Sequence, residues 1–195
     1  MILIREALPE DSPGIARVQV DSYRNAYAGL FPDSYLAQFT YEEQTQDWET
    51  WQSTHPEDLL LVAVSPEDQV VGYLLARTQP DIPPGYDSEI LAMHVRQPDQ
   101  GRGIGSELLK AALVELDGRG CRSIMLWTLK GNPVRQWYER LDGKVLGEKR
   151  FQVDGRDILE VAYGWESIST LLPAREPNPG EVGSLTEREG YGHAT

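Results

Sequence analysis

The chain is 195 residues long, with 18 basic against 31 acidic side chains, a formal net charge of −13 and 40% hydrophobic residues. That length suits one domain with a substantial core, and the composition is that of a folded chain. The acidic balance argues against nucleic acid as a partner, and no apolar run approaches the roughly 20 residues that span a bilayer.

Cys121 is the only cysteine, which excludes an internal disulfide framework and fits a reducing cytoplasm. Placed just before an apolar strand, it reads as small core filler rather than a nucleophile. MILIREA, residues 1–7, reads as a first strand, and its lack of a basic segment followed by an apolar one predicts no signal peptide. Asp11 or Ser12 before Pro13 marks a helix start, with Ile15, Val18 and Tyr23 on the apolar side of a helix to about Tyr27. Gly29 and Pro32 break the chain before a short second helix. Thr40 and Glu43 have capping-box spacing for a third helix through Trp48 and Trp51. Residues 59–64 and 70–78, joined by a turn at Ser65–Asp68, read as a strand pair, and a proline-rich loop, QPDIPPGYD, follows.

The stretch from Ile90 to Arg119 is the most informative. ILAMHV reads as a buried strand, and the helix after it places Leu109, Leu113 and Leu116 on one face. Between them, Gly101, Gly103 and Gly105 form a turn that opens the helix. Bare N–H groups, close backbone approach and the helix dipole suit such a turn to a phosphate-bearing anion. Its spacing fits neither the dinucleotide fingerprint nor the Walker P-loop, since no Gly-Lys-[Ser/Thr] occurs in the chain. The pattern is Gln100-x-x-Gly103-x-Gly105.

Beyond Gly118 and Gly120, residues 123–129 read as a buried strand. Asn132-Pro133 opens a short helix, VRQWYERL, and two strands flank a hairpin at Asp154-Gly155. Strand–helix–strand units among hairpins predict a mixed sheet with helices on both faces. Charge is divided along the chain. Residues 1–87 hold four arginines, no lysine and fifteen acids, whereas residues 119–150 hold eight Lys/Arg against three acids. One half therefore suits an anionic ligand and the other a cation. The domain is expected over residues 1–166. Residues 167–195 read as a polar tail without apolar periodicity, either disordered or packed on a partner subunit.

Three stretches together resemble the GNAT superfamily of acyl-CoA N-acyltransferases: EILAMHVRQPDQGRGIGSELL, LKGNPVRQWYERLDGKVLGEK and VDSYRNAYAGLFPDSYL. The order of elements matches from Ile2 to about Trp165. The resemblance implies a single-domain α/β GNAT fold, a mixed and mostly antiparallel sheet of about seven strands with helices on both faces. It also implies a cytoplasmic transferase that moves the acetyl group of acetyl-CoA to a primary amine by direct attack in a ternary complex. No metal, nucleic acid or membrane is expected, and a homodimer is compatible with it.

Carried over residue by residue, the resemblance assigns the cofactor to backbone at Met93, His94 and Val95 and to the turn of Gln100, Gly101, Arg102, Gly103, Ile104, Gly105 and Ser106. Asn132 joins them where the central strands part. Tyr138 would protonate the departing thiolate. The chain departs from the family in three places. Trp127 stands where the alanine N-acetyltransferase branch has a glutamate, which leaves Glu89 as the first candidate base and His94 as a weaker one. Tyr138 follows Asn132 by six positions where many members have seven, and Leu141-Asp142-Gly143 replaces the usual Leu-Gly-Phe. The acceptor pocket would lie among Tyr23, Tyr27, Phe31 and the loop from Pro80 to Tyr86. Its place in the acidic half points to a cationic small molecule or a peptide or protein amine. The alternative is a non-catalytic acyl-CoA-binding regulatory module that kept the glycine turn.

Overall fold

The structure is a computed structural model and describes residues 1–78 and 85–172. Seven strands form one sheet in the order β1-β2-β3-β4-β5-β7-β6. They are β1 (Leu3–Glu6), β2 (Leu59–Val64), β3 (Val70–Thr78), β4 (Ser88–Val95), β5 (Ile124–Leu129), β6 (Lys144–Val153) and β7 (Arg156–Trp165). The helices are α1 (Ser12–Ala26), α2 (Asp33–Leu36), α3 (Tyr41–Thr54), α4 (Ile104–Gly118) and α5 (Arg135–Arg140). All strand pairs are antiparallel except β4 with β5. The expected α/β class, mixed sheet and strand count are all present.

Both faces of the sheet are covered, which is why every residue of β2 is buried. On one face α4 buries Leu108, Leu109, Ala112, Leu113 and Leu116 against Leu61, Val71, Leu74 and Ile124. On the other, α1 contributes Ile15, Ala16 and Val18, α3 contributes Trp48, and the sheet contributes Leu60, Val62, Tyr73 and Leu75. Trp48 also donates its indole N–H to Gln19 at 2.6 Å, tying α3 to α1. Thr40 is the N-cap of α3, with the Glu43 N–H donating to Thr40 Oγ1 at 3.2 Å and the Thr40 hydroxyl donating to the Glu43 carboxylate at 2.9 Å.

The sheet is interrupted at its centre. β4 and β5 pair only over Ser88–Ile90 and Ile124–Leu126. Beyond that point Leu91 is an extra residue, since Leu75 faces Ala92 while Ala76 faces Ile90. Such a bulge bends its strand, and here it coincides with the parting of β4 from β5. The side chains of β4 keep alternating past it. Met93 and Val95 pack on the α4 side, and His94, opposite Tyr73, faces the α1 side.

The domain continues past the expected boundary at residue 166. Ile168 is buried and its N–H donates to the Arg122 carbonyl at 2.8 Å. Leu171 and Leu172 pack on the same core, because three apolar side chains in six residues suffice to hold the segment down. The rest of the expected tail, 173–195, lies outside the described residues.

Candidate active site

The parting of β4 and β5 opens a cavity of about 950 Å³, large enough for a cofactor-sized ligand. At one end lies the glycine turn. Gly101 and Gly103 have φ of +73° and +83°, left-handed conformations that a Cβ strongly disfavours, and Gly103 is the N-cap of α4. The Glu107 N–H bonds the Gly103 carbonyl, so the N–H groups before it precede the first intrahelical bond and remain available to an anion. Gly101, Gly103, Ile104, Gly105 and Ser106 all line the cavity.

Two side chains tie this turn in place. The Gln100 amide donates to the Val95 carbonyl at 2.9 Å, fixing the turn to the end of β4. The buried carboxylate of Asp99 accepts from Arg96 at 2.9 Å and Arg102 at 3.0 Å. Arg102 is therefore turned toward Asp99 and stands outside the cavity lining, although Gln100 and Asp99 are in it. Sequence reasoning missed Asp99. A carboxylate flanked by arginines three residues to either side was the signal available.

Met93, His94 and Val95 form the β4 wall, and Trp127, Thr128 and Leu129 the β5 wall. Asn132 follows β5 and caps the next turn, its Oδ1 accepting from the Val134 N–H at 3.1 Å. Tyr138, on α5, is buried and lines the cavity. Its ring rests among Trp137, Tyr163 and Trp165, and burial pushes its phenol well above the ordinary value. The short α5 is closed by Asp142 in a left-handed conformation at φ +57° and by the Gly143 N–H donating to the Tyr138 carbonyl at 3.0 Å. A Cβ at Gly143 would meet Trp165 at 2.7 Å, which explains the glycine. The six-residue spacing thus still brings Tyr138 to the same cavity as Asn132.

The opposite end is aromatic. Tyr23, Tyr27 and Phe31 line it in sequence, with ring centroids 5.0 Å apart for the first pair and 5.8 Å for the second. They also pack on Leu129 and Ile158, so core packing and cavity lining coincide. His94 lies between Tyr23, Tyr27 and Tyr73, and burial lowers its pKa to about 4. It is an uncharged imidazole at neutral pH.

Two expected members are placed elsewhere. Glu89 is buried on β4 and accepts from Arg77 at 2.9 Å, across the β3–β4 pair. It is absent from the cavity lining because β4 is still paired on both sides at that level. Tyr86 rests against Gly164 of β7, also outside the lining, and 80–84 of the same loop lie outside the described residues. The carboxylate that does line the aromatic end is Glu160 of β7, hidden from sequence reasoning by its place in an ordinary strand pattern.

Among the described residues no group of His, Cys, Asp and Glu is arranged to hold a metal ion, and no helix is long and apolar enough to cross a membrane.

The family model described as Acetyltransferase (GNAT) family matches residues 21–143 of the chain. The uncharacterized N-acetyltransferase YuaI of Bacillus subtilis is 29% identical over 171 residues, covering 88% of this chain and 96% of its own. Among solved structures, an N-acetyltransferase from Staphylococcus aureus aligns with a TM-score of 0.66 at 21% identity, over 86% of this chain and 99% of its own. The PaiA N-acetyltransferase of Thermoplasma acidophilum, solved in complex with coenzyme A, aligns with a TM-score of 0.62 at 19% identity, over 85% and 99%. The glycine turn and most of the cavity lining fall within the matched segment, and the chain belongs to the GNAT family of acetyltransferases, enzymes of the acyltransferase class.

Proposed function

We propose that the chain transfers the acetyl group of acetyl-CoA to a primary amine, a cationic small molecule or a peptide or protein amine, by direct attack within a ternary complex. The observation that carries this reading is a single continuous cavity. It joins an anion-receiving turn at one end, a buried phenol in the middle and an aromatic wall with a carboxylate at the other. The fit to acetyl-CoA rests on the turn itself. At Gly101 and Gly103 an added Cβ would find nothing within 4 Å, so the surface there is open to a bulky anion. The Thermoplasma relative's complex with coenzyme A agrees with this use of the fold.

Acetyl-CoA supplies an activated acyl carbon and a thiolate leaving group. The residues of the chain do the rest. Free N–H groups at the start of α4 hold the pyrophosphate. Backbone of Met93, His94 and Val95, released from sheet pairing with β5, aligns the pantetheine arm and polarises the thioester carbonyl. Asn132 borders the same channel. The amine attacks in its neutral form, and Tyr138 gives its proton to the departing thiolate. The acetylated nitrogen sheds its extra proton through water to the phenolate, so in net terms one proton passes from the amine to the CoA thiol. The raised pKa keeps Tyr138 protonated at working pH before the step. The amine arrives on the α1 side, between Tyr23, Tyr27 and Phe31.

A thiol-release assay across a library of primary amines, with mass spectrometry of the products, tests the reading. The expected result is CoA release that depends on the amine, with one acetyl group added to it, and a preference for cationic amines. Acetylation confined to neutral or anionic amines would contradict the acceptor class.

A further inference from the structure

The cavity lining contains two carboxylates among the described residues, Asp99 and Glu160. Asp99 is engaged by Arg96 and Arg102 at the glycine turn, so the aromatic end is served by Glu160. Cross-strand pairing sets its direction. Glu160 faces Leu129 of β5 and Lys149 of β6, and Leu129 packs under Phe31, so the carboxylate stands on the α2 side of the sheet. Only 20% of its side chain is exposed, and its charge reaches the hydroxyls of Tyr23 and Tyr27.

An ammonium already sits at this spot. Lys149 Nζ lies 3.0 Å from Glu160 Oε2 and 4.2 Å from the ring centroid of Trp127. Trp127 lines the cavity, whereas Lys149 does not. Lys149 is half exposed on β6, near one edge of the sheet, and an ion pair of that kind holds its cation weakly. A carboxylate beside an indole face is a good receptor for an alkylammonium, and the chain's own lysine reports its shape from outside.

The position is too far from β4 to act on the reacting nitrogen. β5 lies between β4 and β7, so two strand spacings separate Glu160 from the β4 backbone, roughly 10 Å, and the parting of β4 from β5 widens this.

We propose that Glu160 and Trp127 receive a second ammonium of the acceptor, remote from the amine that is acetylated, and that Lys149 is the cation this group displaces. The preferred acceptors are then aliphatic diamines and longer polyamines. The inference rests on the acetyl-transfer reading, because it takes the reacting nitrogen to lie against β4.

The test compares kcat/KM for diaminobutane through diaminodecane with the matched monoamines, butylamine through decylamine, in the wild type, Glu160→Gln and Lys149→Met. Acetyl-CoA binding to each protein is measured by calorimetry. The wild type is expected to favour a diamine over its matched monoamine by tenfold or more at an optimal length. Glu160→Gln is expected to bring that ratio close to one through a tenfold or greater loss of diamine kcat/KM, with acetyl-CoA affinity unchanged, and Lys149→Met to raise the ratio. An unchanged ratio in Glu160→Gln, or no diamine preference in the wild type, overturns the inference alone. Loss of all amine turnover together with absent acetyl-CoA binding in the wild type overturns the reading beneath it.

Discussion

Burial acts on two titratable groups of the cavity wall in the same chemical sense, favouring the uncharged form of each. For Tyr138 this preserves a proton donor beyond the ordinary phenol range, so titration of Tyr138 contributes no fall in kcat near pH 10. For His94 the pKa drops to about 4, and the sign follows from linkage. The unfolded imidazole takes up a proton below about 6.5 and the folded one does not, so stability is full above that value and is lost as pH falls toward 4. Part of the His94 ring meets the open cavity, and the loss between pH 7 and pH 5 is on the order of 1–2 kcal/mol. Urea unfolding at the two pH values measures it, and His94→Phe is expected to show a smaller difference than wild type. Glu89 belongs to a different category of buried charge. Its bonds run to Arg77, so Glu89→Gln is expected to cost about 1–3 kcal/mol of stability and to leave kcat/KM for the amine unaltered. A rate that collapsed while stability held would return Glu89 to the reaction.

The elements were the most legible part of the sequence, because hydrophobic period and punctuation agree in each of them. Leu109, Leu113 and Leu116 mark the buried face of α4, Thr40 and Glu43 mark the start of α3, and Asp154-Gly155 marks the β6–β7 hairpin. Within the turn that opens α4, two glycines differ in a testable way. Gly103 needs its left-handed φ, so Gly103→Ala is expected to cost about 1–2 kcal/mol. Gly105 is helical, with nothing nearer than Val95 Cγ2 at 4.0 Å to a Cβ built there. Gly105→Ala is therefore expected to keep the wild-type Tm while weakening CoA affinity, since its methyl enters the cradle. A CoA affinity unchanged in Gly105→Ala would remove the turn from ligand binding. What the sequence concealed was pairing through space. The Glu89–Arg77 bond joins neighbouring strands, the Asp99 clamp depends on a turn folding back, and Glu160 reaches the cavity only because β5 and β7 pair in one register. None of these leaves a periodic trace. The apolar Ile168, Leu171 and Leu172 were overlooked for the opposite reason, being few enough to vanish in a polar segment.

At the scale of the molecule, the proposed function follows from the parting of two neighbouring strands in the middle of the sheet. Two covered faces make the domain stable, and the bulge at Leu91 with the short β4–β5 pairing opens the cavity between those strands. The charge division seen along the sequence is softened in space. Lys130, Lys144, Lys149 and Arg150 are paired with Glu148, Glu166, Glu160 and Asp157, so the basic segment does not form a free patch. Under the proposed function, recognition of the anion therefore falls to backbone at the glycine turn, and recognition of the cation to the cavity wall. The central claim is that this cavity performs acyl transfer with Tyr138 as its acid. The direct measurement is kcat for thiol release, together with the Kd for CoA, in Tyr138→Phe. The expected result is a fall in kcat of about a hundredfold or more with Kd unchanged; a wild-type kcat in a variant that still binds CoA would contradict it.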